Sequence, residues 1–278
     1  MACCQLEFHR RIAGVMLLGM QIALFALASA IPAAAQTATT EALTRESTLI
    51  FAGTVEKVGA STMPAVKATE TTAIVRVDQV IASPGAPPGL AGKAITVRLL
   101  NLASIKPEAR AVFFTKGWLL GKSMAVVEVG RLPGNTDVKE LSAQISQARQ
   151  KVADEDLQAE LATTEAVVVG RVTSVYAAKI PRLLSEHDPD WYVAIVQVES
   201  VMKGQLAGRE VSVLFPHSDD VQWKKSPKFK EGQRGVWLLH RNQARLVGAE
   251  NQLTALRALD FRPREEVTRM ERLVKASQ

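Results

Sequence analysis

"AIVRV" at Ala73 to Val77 returns as "AIVQV" at Ala194 to Val198. The two phrases belong to a longer match of four blocks that keep the same order. "LIFAGTVEKV" from Leu49 answers "AVVVGRVTSV" from Ala166, and "AIVRVDQVI" from Ala73 answers "AIVQVESVM" from Ala194. "LAGKAITVRLL" from Leu90 answers "LAGREVSVLFP" from Leu206, and "ARAVFF" from Ala109 answers "QRGVWL" from Gln233. The offsets are 117, 121, 116 and 124 residues, so length changes fall between blocks, where loops belong. Four collinear matches define an internal duplication.

Each block reads as a strand, rich in Val, Ile and Phe with polar residues alternating at period two. Phe51, Gly53 and Val55 share one face, as do Val168, Gly170 and Val172. A glycine at the same inward place in both copies predicts a strand that bends sharply over a core. "MAVVEV" (Met124 to Val129) supplies a fifth strand, and "ARLVGA" (Ala244 to Ala249) is its weaker counterpart. A helix follows each set. Val138, Leu141, Ile145, Ala148 and Val152 form one stripe; Val267, Met270 and Leu273 or Val274 form the other, with Pro263 as a start signal. The fold class expected is therefore mainly β with helices (β+α). It comprises two duplicated five-stranded OB-like β-barrels, each followed by a helix. The divisions are a signal peptide at 1–35, a first barrel at 36–132 and a connecting helix at 133–160. A second barrel at 161–254 and a C-terminal helix at 255–278 complete the chain.

The hydrophobic rhythm and paired glycines, with the trailing helix and secretion, resemble tissue-inhibitor-of-metalloproteinase and netrin-like modules. The resemblance covers both repeats. Those inhibitors chelate the protease zinc through an N-terminal cysteine, and no cysteine stands near Gln36, so the inhibitory mechanism is not implied here. Two immunoglobulin-like sandwiches are the competing fold, but seven strands per repeat are hard to find.

Compartment follows from the first residues. Arg10 and Arg11 precede an uncharged run of 19 residues, Ile12 to Ala30, and "IPAAAQ" then offers small residues at Ala33 and Ala35. That succession predicts a Sec-type signal cut after Ala35, with periplasmic or secreted destination. The run is also just long enough for a retained membrane anchor, the competing reading. Cleavage removes Cys3 and Cys4, which leaves no thiol for disulfides, catalysis or metal. It also lowers the formal charge from +6 to +5 through loss of Arg10, Arg11 and Glu7. A mildly basic exported protein suits an unknown protein or an anionic glycan or envelope partner, and nucleic acid poorly. No membrane span is expected after cleavage.

Chemistry-bearing residues gather in the second repeat. "HDPD" (His187, Asp188, Asp190) and "HSDD" (His217, Asp219, Asp220) follow the first and third strands, so both loops should emerge at one end of the barrel. Imidazoles and carboxylates together suit a divalent metal; the plain alternative is two solvated turns. "VQWKKSPKFKEGQR" sets Trp223, Lys224, Lys225, Lys228 and Lys230 close together, a mix able to grip an anionic chain by charge and stacking. A lysine-rich solvated loop is the ordinary reading. No nucleophile elbow, HExxH, phosphate loop or dinucleotide fingerprint is present. The sequence thus points to a non-enzymatic binding protein without a cofactor. Its rivals are a metal-dependent hydrolase on the His and Asp loops and an envelope spacer.

Overall fold

The computed structural model describes residues 39–83, 89–103, 105–120, 123–180, 187–241 and 252–277. The segment 244–249, the candidate last strand of the second copy, and the segment 1–35, expected to be a signal peptide, lie outside the described residues. Among the described residues no helix is long and apolar enough to cross a membrane.

The first copy runs Leu49–Val58 (β1), Thr72–Ala82 (β2), Ala94–Arg98 (β3), Arg110–Leu120 (β4) and Met124–Pro133 (β5). These strands close into a barrel in the order β1-β2-β3-β5-β4, with β3 and β5 parallel and the other pairs antiparallel. The second copy runs Ala166–Ala177 (β6), Asp190–Lys203 (β7), Glu210–His217 (β8), Arg234–Arg241 (β9), Leu253–Thr254 (β10) and Phe261–Pro263 (β11). The order β6-β7-β8-β10-β9 closes back on β6, β8 and β10 are parallel, and β11 lies along β9. Both barrels are OB-like.

Strand register carries the duplication residue by residue. Gly53 pairs with Val77 and Ala111, while Gly170 pairs with Val198 and Gly235. The β1–β2 ladder slips between Ile50 and Phe51, Ala52 and Gly53, and Val55 and Lys57. The β6–β7 ladder slips at the three matching places. Bulges bend and twist a strand, so the same corner is turned in the same way twice. The glycines sit at that corner because nothing larger fits. A Cβ on Gly53 would lie 2.8 Å from the Arg76 carbonyl oxygen, and one on Gly170 would lie 2.4 Å from that of Gln197.

The runs "LIF" and "VVV" are apolar on both faces because both faces are covered. Phe51 and Val55 point into the first barrel, where Phe51 stacks on Phe113 at 5.3 Å; Val168 and Val172 line the second with Phe215, Phe229 and Trp237. On the outside, Ile50, Val112 and Phe114 are sealed by Leu43 of a short helix, Thr40–Glu46 (α1), and by Leu141 and Ile145 of a long helix, Val138–Thr163 (α2). Outside the second barrel, Val167, Val169, Val236 and Leu238 are sealed by Leu157 and Leu161 of α2 and by Met270, Leu273 and Val274 of Val267–Ala276 (α3).

Helix α2 therefore serves both barrels, and with opposite faces. Asp137 Oδ1 caps its start, accepting from the Lys139 and Glu140 amides at 2.8 and 3.1 Å. Leu141 and Ile145 are buried on the first barrel, Ala148 is buried next along the same stripe, and the stripe continues no further, since Val152 is only half-buried. Leu157 comes nine residues after Ala148, a turn of about 180° at roughly 100° per residue. The connecting helix is thus a shared spine between the copies.

Ion pairs fasten α3 to this spine. Asp154 accepts from Arg269 Nε at 2.7 Å and Arg272 Nη2 at 3.2 Å. Burial works to raise the Asp154 pKa, but hydrogen bonds from Arg269 and Gln150 and the charges of Arg269 and Arg272 hold it below the ordinary value. A carboxyl whose folded pKa is depressed stabilises the fold above its unfolded pKa and loses that contribution as pH falls through the folded one. Asp154→Asn should therefore lower the unfolding midpoint near neutral pH by the equivalent of about 1–2 kcal/mol. Thermal melts should show the gap to the parent chain closing below pH 4.

The copies differ at their fifth strand. Lys116 pairs with Val127 in the first barrel as His240 pairs with Thr254 in the second; Ala111 pairs with Pro133 as Gly235 pairs with Pro263. Six steps separate Val127 from Pro133 but nine separate Thr254 from Pro263, so a loop of three extra residues splits β10 from β11. This loop carries Asp260, which is fully buried.

Candidate functional site

The two acidic loops of the second barrel meet at one end of it. Asp190 and His217 are direct partners where β7 begins and β8 ends. His187 Nδ1 lies 3.0 Å from Asp220 Oδ2, an exposed contact. The amide of Gln222, donating to Asp220 Oδ1 at 2.8 Å, and then His187 lower the Asp220 pKa. Amides of Trp223 and Lys224 both donate to the Asp220 carbonyl, at 2.9 and 2.7 Å, winding 220–224 into one tight turn. That turn aims the Trp223 indole, whose Nε1 donates to the His187 carbonyl at 2.8 Å. Trp223 meets Trp191 edge to face at 5.6 Å, and Tyr192 lies 5.0 Å from the His217 ring. Asp188 is half-buried, and among the described residues its buried Oδ2 has no hydrogen-bond partner. Asp219 is exposed.

The lysine-rich loop divides into an outer and an inner part. Lys224, Lys225 and Lys230 are exposed. Lys228 is turned inward instead: its Nζ donates to the carbonyls of Trp223 and Ser226 at 2.9 and 3.2 Å. Burial lowers its pKa, against the opposing pull of Asp219. Lys228 braces the loop. Phe229 belongs to the core, 4.9 Å from Phe215 and 5.6 Å from Phe261. Next to Trp191, a hollow of about 320 Å³ opens between the end of β6 and the start of β7, walled by Ala178, Ile180, Pro189 and Tyr192.

A second cluster escapes sequence reading. Among the described residues, three candidate metal-ligand atoms lie within 4.8 Å of one another at Glu160, His240 and Asp260, none of them from the acidic loops. His240 Nε2 is 3.1 Å from Glu160 Oε1 and 3.2 Å from Asp260 Oδ1. Its Nδ1 faces the Thr163 carbonyl at 3.3 Å. The side chains of His240, Glu160 and Asp260 are 1%, 10% and 0% exposed. Asp260 Oδ2 is held by the Leu256 and Arg257 amides at 2.6 and 2.9 Å. The half-exposed Arg257 reaches Glu160 Oε1 at 2.6 Å. Ser226 Oγ donates to the Leu256 carbonyl at 2.5 Å, so the inserted loop joins this cluster to the lysine-rich loop.

Neither a protein-family model nor a curated protein sequence matches this chain.

Proposed function

We propose that the protein is a secreted or periplasmic binding module, not an enzyme, and that its second barrel takes an acidic glycan. The observation that carries this reading is the Trp191–Trp223 pair beside the hollow, on a turn pinned by Asp220 and His187, with Lys224 and Lys225 exposed next to it. Flat aromatic surface offers stacking at small entropic cost, and paired lysines draw anionic groups. The formal charge of +5 left after loss of Arg10, Arg11 and Glu7 acts in the same sense. The first barrel and α2 then serve as scaffold. A metal-dependent hydrolase has less support, because the acidic loops join His187 to Asp220 as a pair and not as a three-ligand group among the described residues.

The test is calorimetric titration of the chain from Gln36 with a sulfated or uronate-containing glycan at two salt concentrations. Trp223→Ala should weaken binding by about tenfold, equivalent to roughly 1.4 kcal/mol. Lys224→Ala with Lys225→Ala should weaken it further and flatten its salt dependence. Equal affinity in all variants, or no glycan binding by the parent, would overturn the reading.

A further inference from the structure

We infer that Glu160, His240 and Asp260 form a divalent-cation site of the class that takes zinc, where the shared helix meets the second barrel. The inference is independent of the glycan surface, which lies on other loops.

Three features of the cluster set it apart from an ordinary buried ion pair. First, Glu160 Oε1 and Asp260 Oδ1 stand at nearly equal distances from one imidazole nitrogen, 3.1 and 3.2 Å. A single N–H points well at one acceptor, whereas one nitrogen and two carboxylate oxygens facing a common point are what a cation collects. Second, the other ring nitrogen faces the Thr163 carbonyl at 3.3 Å. Donation from Nδ1 to that carbonyl sets the tautomer whose Nε2 lone pair faces the carboxylates, as in metal-bound histidines generally. Third, Asp260 Oδ2 is engaged by two backbone amides, which leaves Oδ1 aimed at the centre. Carboxylates plus one imidazole suit zinc or manganese better than magnesium.

The duplication supplies an internal comparison. In the first barrel the place of His240 is taken by Lys116, and β5 runs unbroken where the second copy inserts the loop with Asp260. Only the second copy, therefore, combines the histidine, the inserted carboxylate and the C-terminal turn of α2. Arg257 is the competing cation. It meets Glu160 Oε1 at 2.6 Å and is 49% exposed, so water can solvate its guanidinium when a metal takes its place.

That competition gives a test with a sign. The chelator-treated chain from Gln36 is titrated with zinc by calorimetry, with magnesium as control. One saturable zinc site is expected, with no magnesium heat. His240→Ala should weaken zinc binding by more than the roughly 10–100-fold typical of removing an outer partner. Glu160→Gln should also weaken it, and provides a second variant if circular dichroism shows His240→Ala to be unfolded. Arg257→Ala should tighten zinc binding severalfold, because it removes the rival charge. His187→Ala should leave the affinity unchanged. Absence of saturable zinc binding, indifference to Glu160→Gln, or weaker binding in Arg257→Ala would overturn the site and leave a closed ion network.

Discussion

Gly170→Val is expected to cost about 3 kcal/mol or more, at or above the upper end of ordinary core overpacking. The new Cβ would start 2.4 Å from the Gln197 carbonyl oxygen and 2.8 Å from Val196 Cγ1. A flexible side chain could yield, but the first of these atoms is backbone on the neighbouring strand, held in the β6–β7 ladder at Arg171↔Gln197. The barrel can only open or shift register there. In thermal melts followed by circular dichroism the midpoint should fall by roughly 10 °C. Gly53→Val should act similarly in the first barrel, where the Arg76 oxygen waits at 2.8 Å. Gly208→Ala is the control: no atom lies within 4 Å of its Cβ, so a change within about 0.5 kcal/mol is expected. An unchanged midpoint for Gly170→Val would mean that the bend does not depend on the missing side chain.

The glycine was legible in the sequence because duplication repeats an exception as faithfully as a rule. A lone glycine in an apolar strand has many readings; one at the same inward phase of two matched strands has few. The strands and their inward faces then followed from alternation, and β1 runs from Leu49 to Val58 as its block does. Helix α1 left almost no trace, since Leu43 is its single large apolar residue and its anchoring depends on Arg45–Glu155 and Lys151–Glu41 contacts with α2. The change of face along α2 was hidden for a related reason. Periodicity assumes one partner, and the stripe through Leu141, Ile145 and Ala148 gives no notice that a second barrel takes over at Leu157.

The candidate sites divide along the same line. His187 and Asp220 lie on loops that leave one barrel end, so residue type and strand direction were enough to bring them near one another, whereas the docking of Trp223 against His187 was not foreseen. Glu160, His240 and Asp260 come from a helix, a strand and an inserted loop. Nothing local joins them; they meet only because α2 docks its last turn against β9. The length difference between the copies after Thr254 marks where the second repeat departs from the first, but it emerges only from the strand register. Phe229 shows the converse. In sequence it stands among lysines like a recognition residue, yet it fills the core beside Trp237 and Phe261.

Removal of Arg131 should be a severely damaging truncation in the first barrel. Its Nη1 donates to both oxygens of Glu128, at 2.7 and 2.8 Å, and its Nη2 reaches Asn101 Oδ1 and the Ala103 carbonyl, both at 2.7 Å. The two side chains are 14% and 1% exposed, so the pair is shielded from water. Without Arg131, Glu128 would keep only the Leu100 amide, at 3.0 Å, and the loop from Leu100 to Ala103 would lose its tie to β5. Leaving one member of a buried pair alone costs about 3–5 kcal/mol. The pH dependence identifies the cause. Burial already raises the Glu128 pKa, against the Leu100 amide and Arg131, and Arg131→Ala would raise it further. A carboxyl with a raised folded pKa stabilises the fold below its unfolded pKa and loses that contribution as pH rises through the folded one. The melting deficit of Arg131→Ala should thus be largest at pH 7 and shrink on acidification toward pH 4, as Glu128 takes up its proton. Arg131→Ala combined with Glu128→Gln should recover part of the loss at pH 7. A deficit that stayed constant with pH would instead assign the damage to the lost loop contacts with Asn101 and Ala103.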